Sequence, residues 1–415
     1  MKHILIVNQH GDNRGDEAAL SAMLQALDDR LAPVRFTVLH QFRSKASEVA
    51  VPQEVRWVPL RLPLLEVPAF VLYLLLELVG RKARWMLGPS ARAVIEAYEN
   101  ADLMISAPGG PYFGDIYAGH EPVHWLYVWM SRIYELPSVL YAPSAGPFRR
   151  KWMNPFRRFT YRSFTRVTLR EERSASMVRE LMAGSLDLEV TADSALQAQV
   201  GALERSDWVC DGESMEGRFV LVVSAIDYPY SGDRDPDSRR ANYDRSLLAA
   251  VVRLCEEESG NRACHVAFVP QLHSAKKRDA PYLESLARGV PDWISTEVVD
   301  ETLSAGAQRA RFAAADAVIA GRYHPAVFAI SARVPVLCVP YEHKATGVME
   351  AAGIGEHVLE LDDVTPRRMA DAALRMWAER DSISAVLSTT APELRARASR
   401  TSDIVAEVVD ENFPT

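Results

Sequence analysis

An arginine and a histidine two residues apart follow a short apolar strand in the last quarter of the sequence. The strand is predicted over Ala317–Ala320, and Arg322 and His324 come directly after it. Pro325 suits the first turn of a helix, because its missing N–H would have no partner there. Unpaired N–H groups and the helix dipole favour an anion at such a terminus. With a guanidinium and an imidazole beside them, this pattern predicts a site for a small, compact anion.

Apolar strands and amphipathic helices alternate along the whole chain and must position these groups. The alternation predicts parallel sheets covered by helices, with ligands at the carboxyl ends of the strands. One helix is predicted over Glu17–Asp29. The predicted strands are Ile4–Val7, Phe36–Leu39, Leu103–Ser106, Val139–Ala142, Val167–Leu169, Leu188–Thr191, Val220–Ser224, His265–Val269, Ala317–Ala320 and Val336–Val339.

A chain of 415 residues is too long for one compact core, so two domains are expected. The most polar break is Gln199–Gly217, and a new series of strands begins after it. We predict an α/β fold with two Rossmann-like domains, over residues 1–198 and 218–378, facing across a cleft. Helices are predicted over residues 379–415, and packing of these helices on the N-terminal domain is one arrangement open to them.

Composition excludes several classes of protein. A net charge of −8 argues against a general nucleic-acid binder. The four cysteines show no C-x-x-C spacing and no metal-ligand pattern, which predicts a reducing compartment and no zinc site. Only four apolar residues, Ile4–Val7, follow the first three residues, which is too short for a signal peptide. We therefore expect a cytoplasmic protein.

The apolar segment Leu62–Val79 complicates this expectation. Glu66, Pro68 and Glu77 interrupt it, so it is a poor membrane-spanning helix. Basic residues and tryptophans flank it, which suits peripheral docking of a helix on the inner, anionic face of a membrane. A hydrophobic helix packed on the domain explains the segment equally well.

The first strand leads into a polar stretch with two glycines, residues 8–17. The glycine spacing differs from G-x-G-x-x-G, and the second strand ends without the acid that binds ribose, so we reject a nicotinamide cofactor. Asp16 and Glu17 open the next helix, where carboxylates complement the dipole. They are candidates for helix capping, or for hydroxyl recognition and proton transfer. Asn13 precedes them and is a further candidate for binding an acceptor substrate.

Further polar groups follow other strands of the first half. Gly109 and Gly110 allow a ligand to approach the backbone, and Tyr112 and Asp115 offer hydrogen bonds of the kind that sugars accept and donate. The remaining strand-end candidates are Ser144, Arg170 and Asp193. Seven basic residues with interleaved aromatics lie between Arg149 and Arg166. They form either a solvated helix face or a seat for a diphosphate-linked, membrane-held acceptor.

Six of these motifs, in order, resemble the polysaccharide pyruvyl transferase family. The motifs are G-D-E-A at 15–18, the glycine loop from Gly109 to Asp115, S-A-G-P-F at 144–148, L-R-E-E-R-S at 169–174, A-D at 192–193, and R-Y-H at 322–324 continuing to Lys344. Tyr323 stands where the family pattern has leucine, and Pro111, Ala142, Pro143 and Ser194 also depart from it.

The resemblance implies a GT-B-like fold, phosphoenolpyruvate as donor and a pyruvyl ketal on a sugar as product. The acceptor would be a cell-surface polysaccharide or its lipid-linked precursor. The N-terminal domain would then bind the acceptor and the C-terminal domain the donor. Arg170, Arg322 and His324 match the family's donor site.

A mechanism follows as a hypothesis. Arg322, Arg170, Tyr323 and Lys344 would hold the donor, because an arginine fork binds a carboxylate or a phosphate bidentately. His324 would move protons at neutral pH. Asp16, Glu17 or Asp193 would take a hydroxyl proton. Neither a metal nor a cofactor is expected, because the protein supplies the cations.

Two other functions remain open at this stage. One is a GT-B glycosyltransferase that uses a nucleotide-sugar, since fold does not fix chemistry. The other is a non-catalytic, membrane-docked scaffold. The sequence predicts no oligomeric state.

Overall fold

The structure is a computed structural model that describes residues 1–11, 13–40, 54–60, 63, 65–81, 83–110, 112–199, 201–227, 235–274, 277–341 and 343–414. The chain divides into two compact units. The first contains Met1–Gly11, Asp16–Ala198 and Ala396–Thr415, and the second contains Asp12–Gly15 and Gln199–Arg395. The short segment Asp12–Gly15 therefore groups with the second unit, whereas the sequence places it in the first.

The first unit is built on a seven-stranded parallel sheet with the order β3-β2-β1-β4-β5-β6-β7. Alternate residues of the central strand face opposite sides of the sheet. Leu5 and Val7 join one core, and Ile4 and Ile6 join the other. The strands are β1 Lys2–Gln9, β2 Val34–His40, β3 Val55–Pro59, β4 Leu103–Ser106, β5 Ser138–Leu140, β6 Arg166–Leu169 and β7 Glu189–Val190.

Helices cover both faces of this sheet. The core that contains Leu5 also takes side chains from α2, α3, α4, α5 and α6, and the opposite core takes side chains from α1 and the end of α13. The helices are α1 Arg14–Leu31, α2 Val67–Glu77, α3 Pro89–Glu99, α4 Glu121–Ile133, α5 Asn154–Tyr161, α6 Glu172–Met182 and the long C-terminal α13 Arg380–Asn412.

The second unit is built on a five-stranded parallel sheet with the order β14-β11-β10-β15-β16. Two antiparallel hairpins, β8–β9 and β12–β13, accompany it. The strands are β8 Val209–Cys210, β9 Glu213–Ser214, β10 Phe219–Ser224, β11 Cys264–Phe268, β12 His273–Ser274, β13 Lys277–Arg278, β14 Ser295–Val298, β15 Ala317–Ala320 and β16 Val336–Cys338. The helices are α7 Pro236–Glu258, α8 Ala280–Ala287, α9 Ala305–Ala313, α10 Tyr323–Ala332, α11 His343–Ala351 and α12 Pro366–Ala378.

The predicted α/β class with two parallel sheets is confirmed. The strand over Ala317–Ala320 lies at its predicted residues, while β3 and β14 were not predicted. The apolar segment over 62–79 forms α2 from Val67 onward; Leu62 and Leu64 lie outside the described residues. In the part of the chain that the structure describes, no helix combines the length and the apolar character needed to span a bilayer.

Candidate functional site

Arg322 stands at the carboxyl end of β15 and immediately before α10. Its backbone is extended, and α10 begins at the next residue, so the helix N-terminus opens beside its side chain. One guanidinium nitrogen, Nη2, donates a 2.7 Å hydrogen bond to Asp279 Oδ1. The Arg322 side chain is 13% exposed, and its Nε has no hydrogen-bond partner among the described residues. Arg322 therefore combines a fixed position with remaining donor capacity.

Asp279 is itself fixed by the backbone of the loop after β11. Its Oδ2 accepts hydrogen bonds from the N–H groups of Gln271 at 3.0 Å and Leu272 at 2.9 Å. Asn13 pairs with Leu272 in an antiparallel bridge, and the N–H of Arg14 donates to the Gln271 carbonyl oxygen at 3.0 Å. Sequence reasoning missed Asp279, because no spacing rule links it to a residue 43 positions away.

His324 lies in the first turn of α10 and is buried. Its ring meets Tyr323 edge-on at 5.1 Å and lies 6.2 Å from Phe328. Lys344 Nζ stands 5.9 Å from the centre of the Tyr323 ring. The structure thus brings Arg322, Tyr323, His324 and Lys344 together in one unit, at the carboxyl edge of its sheet.

Gly15 packs directly against His324. A Cβ atom added at Gly15 would lie 1.9 Å from His324 Nδ1, so only glycine permits this approach. The predicted G-D-E-A motif therefore contributes its glycine to the second unit. Asn13 Oδ1 accepts a 3.0 Å hydrogen bond from the Gly15 N–H, which fixes the turn.

Arg170 directly follows β6 in the first unit and is enclosed. Its Nε donates to Ser144 Oγ at 2.8 Å, and its Nη1 donates to Asp193 Oδ2 at 2.7 Å. Both charged side chains are only 1% exposed. Asp193 Oδ1 accepts a 2.9 Å hydrogen bond from the N–H of Ala195. Three predicted site residues, Ser144, Arg170 and Asp193, therefore form one buried network.

The glycine loop after β4 lies beside the start of α1. Gly109 has φ near +138°, and a Cβ there would meet Tyr112 Oη at 2.3 Å and Asp16 Oδ1 at 3.4 Å. Tyr112 donates to the Pro108 carbonyl oxygen at 3.0 Å, and Gly110 is half-buried in the same loop. Asp16 and Glu17 lie in the first turn of α1, half-buried and buried respectively.

Two histidines that were not predicted as site residues join this loop. The His10 ring stacks on Tyr112 at 4.9 Å and lies 5.1 Å from the ring of His124. His124 Nδ1 lies 2.9 Å from Asn8 Oδ1, and His10 Nε2 has no partner among the described residues. Burial lowers the pKa of His10 to about 4 and the pKa of His124 to about 3, so both imidazoles are neutral at pH 7. The sequence signal that could have identified His10 as a site residue was an imidazole directly after the first strand.

The carboxylate of Asp115 is already bound by other groups of this chain. Its carboxylate accepts hydrogen bonds from Arg157 Nη2 at 2.7 Å and from the N–H groups of Arg149 and Arg150. Burial acts to raise the pKa of Asp115, but these donors lower it below its ordinary value. Arg157 also binds Glu121 and is fully buried, so the basic run is not uniformly a solvated helix face.

One cluster in the described part of the chain has the donor atoms of a metal site. Atoms of Cys210, His265 and Glu297 lie within 4.8 Å of one another. His265 Nε2 lies 3.5 Å from Glu297 Oε1, and Trp208 Nε1 donates to the same oxygen at 2.7 Å. His265 is near the amino end of β11, opposite the edge that carries Arg322. The cluster ties the β8–β9 hairpin region to the sheet and lies outside the candidate donor site.

Solved structures show which fold this is. The chain is similar to a protein described as a UDP-N-acetylglucosamine 2-epimerase from Listeria monocytogenes, with a TM-score of 0.61, 13% identity, and coverage of 100% of this chain and 97% of the other. The UDP-GlcNAc 2-epimerase of Neisseria meningitidis, bound to UDP-GlcNAc, matches with a TM-score of 0.55, 11% identity and coverage of 99% and 100%. The match to apo OtsA has a TM-score of 0.53 at 10% identity, covering 100% of each chain. These similarities show a GT-B-like fold, as predicted.

A family model gives the more specific result. The model described as "Polysaccharide pyruvyl transferase" matches residues 13–343, which include the Gly15 turn, the Arg170 network and the Arg322–His324 edge. The predicted family resemblance is confirmed. This chain belongs to the polysaccharide pyruvyl transferase family.

Proposed function

We propose that this enzyme transfers a pyruvyl group from phosphoenolpyruvate to two hydroxyls of one sugar, forming a cyclic ketal and releasing phosphate. The acceptor is a sugar of a cell-surface polysaccharide or of its lipid-linked precursor. The observation that carries the proposal is Arg322 with His324 at the N-terminus of α10, in a chain of this family. A compact dianion such as phosphoenolpyruvate suits that combination of fixed cation, helix terminus and imidazole.

Arg322 is proposed to bind the donor through the part of its fork that Asp279 does not use. Asp279 holds one nitrogen, so the guanidinium is oriented before the ligand arrives and loses little rotational freedom on binding. Lys344 adds a point charge above the Tyr323 ring. Arg170 is proposed for the second anionic group of the donor, with Ser144 and Asp193 fixing its orientation.

His324 is proposed to transfer the protons. Protonation of the terminal vinyl carbon of phosphoenolpyruvate produces a methyl group and makes the central carbon electrophilic. One sugar hydroxyl attacks that carbon and loses its proton. Phosphate then leaves with its bonding electron pair and takes up a proton, while a second hydroxyl closes the ring and releases one. The two protons lost by the hydroxyls balance those gained by the vinyl carbon and the phosphate.

The acceptor is proposed to bind the first unit. The backbone of Gly109 and Gly110, with Tyr112, lies beside Asp16, which is the half-buried acid of α1 and so the best placed of the proposed bases. Glu17 and Asp193 remain proposed alternatives, although Asp193 is already paired with Arg170. Ser144 is proposed to orient the sugar, and the carboxylate of Asp115 to hold the loop that surrounds it. Asn13, which groups with the second unit, remains a proposed contact of the sugar.

The test is release of inorganic phosphate from phosphoenolpyruvate in the presence of a panel of sugar acceptors. We expect His324→Ala to lower turnover about 10²–10⁴-fold, because it removes the proposed acid–base group. Arg322→Ala should weaken binding of phosphoenolpyruvate in calorimetry. Arg333→Ala is the matched control, since this exposed arginine lies just beyond the other end of the same helix.

Three outcomes would contradict the proposal. Unchanged turnover in His324→Ala would remove the histidine from the reaction, and unchanged donor affinity in Arg322→Ala would move the anion site. Consumption of a UDP-sugar in place of phosphoenolpyruvate would favour the glycosyltransferase. We also expect turnover to survive EDTA, because the proposed cations belong to the protein.

A further inference from the structure

The segment from Arg149 to Arg170 is unusual in a chain of net charge −8. It contains eight arginines and lysines and no aspartate or glutamate. Arg157 is buried and paired with Asp115 and Glu121, and Arg170 is buried and paired with Asp193. In contrast, Arg149, Arg150, Lys151 and Arg162 are exposed, and within the described residues no carboxylate lies at ion-pair distance from any of them. Arg166 is also exposed, but it pairs with Glu411. The exposed basic residues between positions 149 and 162 therefore form a local cationic surface that no carboxylate of the described residues neutralises.

Three large aromatic side chains project from the same segment. Trp152 is 68% exposed, Phe156 is 47% exposed and Phe159 is 46% exposed. They are spaced four and three residues apart, so they follow one side of the turn before α5 and of α5 itself. The other side of this short helix carries Arg157 and Tyr161, which are buried in the unit. The arrangement is an amphipathic helix whose solvent side is both basic and aromatic.

A second apolar surface lies in the same helical layer. Val67, Val71 and Leu75 recur at helical spacing along α2, and Leu78 follows as its C-cap residue. Each of the four is between 38% and 64% exposed. The inner sides of α2 and α5 contribute to the same core, which includes Tyr73 and Tyr161. Both helices therefore cover the same face of the seven-stranded sheet and present apolar side chains outward from it.

We propose that this outer layer, formed by α2 and by residues 149–162, docks on the surface of an anionic lipid bilayer. Exposed arginine and lysine attract the headgroups, while tryptophan and phenylalanine enter the interfacial region and the aliphatic side chains of α2 lie against the acyl boundary. The proposal does not depend on the proposed reaction. It gives a physical reason for exposed leucine, valine and tryptophan that the folded chain does not cover.

Two other partners fit this surface less well. A polyanion such as RNA would satisfy the arginines but would gain little from the exposed aliphatic side chains of α2. A second copy of this chain, docked by the same surface about a twofold axis, would bring two uncompensated basic patches together. A bilayer with anionic headgroups satisfies the basic and the apolar side chains at once.

The experiment is co-sedimentation of the full chain with vesicles of phosphatidylcholine alone or of phosphatidylcholine mixed with phosphatidylglycerol. We expect binding to the mixed vesicles and a loss of binding as salt is raised. A variant with Arg149→Gln, Arg150→Gln and Lys151→Gln should bind the mixed vesicles about a hundredfold more weakly, given roughly fivefold for each basic residue near the surface.

The matched control carries Arg253→Gln, Arg288→Gln and Arg367→Gln, three exposed positions of the second unit, and has the same net charge as the test variant. It should bind as the wild type does. A second test variant, Trp152→Ser with Phe156→Ser and Phe159→Ser, should lose the binding that persists at high salt. Circular dichroism of each variant reports whether it is folded.

Equal vesicle binding by the variant changed at positions 149–151 and by its matched control would overturn the proposal. Absence of wild-type binding to the mixed vesicles would overturn it as well. A dimer in analytical ultracentrifugation that the aromatic variant abolishes, without vesicle binding, would assign the surface to a second copy of the chain. Because phosphate release from phosphoenolpyruvate with a soluble sugar needs no vesicle, failure of the docking proposal and failure of the proposed reaction are distinguishable.

Discussion

Each sheet carries, at its carboxyl edge, an arginine held by an aspartate, and the two pairs differ in enclosure. Arg170 and Asp193 are each 1% exposed, and Arg170 also holds Ser144. Arg322 is 13% exposed, with Nε unpartnered among the described residues, beside His324 and the start of α10. The two pairs therefore differ in how much of the arginine remains accessible to a ligand. The enclosed pair links the loops that follow three strands. The partly open pair leaves guanidinium donor capacity for the proposed donor.

Removing the two guanidiniums tests this difference most strongly. Arg170→Met leaves Asp193 as a buried carboxylate without its cation, and we expect it to lower the free energy of unfolding by about 3–5 kcal/mol. Arg322→Met should cost less, because Asp279 keeps two backbone N–H donors and its partner was partly hydrated. Urea unfolding measures both. Equal losses of stability would mean that enclosure does not distinguish the pairs.

Gly15 offers a test that concerns position and leaves charge unchanged. In Gly15→Ala the new methyl group would overlap the His324 ring, so the ring must move. We expect kcat/KM to fall by about 10²-fold, since a displacement near 1 Å has that effect on a catalytic group. Gly347→Ala is the control, because nothing lies within 4 Å of its added Cβ. The control should keep full activity and gain about 0.5–1 kcal/mol of helix stability.

The buried histidines predict how the stability of the chain responds to pH. Burial depresses the pKa of His10 to about 4, below the ordinary value near 6.5, so the unfolded chain binds this proton more readily than the folded one. The free energy of unfolding should therefore fall as pH drops from about 6.5 toward 4, by up to about 1.4 kcal/mol per pH unit for this residue.

His10→Phe keeps a ring to stack on Tyr112 and removes the titration. Urea unfolding at pH 7 and pH 5 should show a smaller difference in this variant than in the wild type. An unchanged difference would show that His10 titrates alike in the folded and unfolded chains.

The smallest effect is expected at Tyr323, where the family pattern has leucine. Its buried ring lies under the half-buried Lys344 at 5.9 Å, and a cation–π contact contributes at least about 0.5–1 kcal/mol. Tyr323→Leu should therefore raise the KM for phosphoenolpyruvate about two- to fivefold and leave kcat nearly unchanged. A large loss of kcat would instead place the tyrosine next to the reacting atoms.

Nearly all the strands that sequence reasoning located are buried on both faces, and β7, Glu189–Val190, is the exception. Ala317–Ala320 and Ile4–Val7 read as continuous apolar runs because helices cover both sides of them. The edge strand β14, Ser295–Val298, has only half-buried residues and no apolar run, so neither composition nor period identified it. Whether such an edge strand forms depends on register and tertiary contact, and sequence periodicity reports neither.

The candidate site was predictable to the same limited extent. Arg322 and His324 could be found because a strand, a proline and a helix place them locally. Asp279, His124 and the contact between Gly15 and His324 depend on chain segments far apart in sequence.

The four residues Asp12–Gly15 have a practical consequence for dissecting this enzyme. They group with the second unit, although almost two hundred residues separate them from the rest of it. A recombinant fragment that begins at Gln199 would lack Gly15, which packs against the His324 imidazole, and Asn13, which pairs with Leu272. Donor affinities measured on such a half-protein should therefore be weaker than those of the full chain.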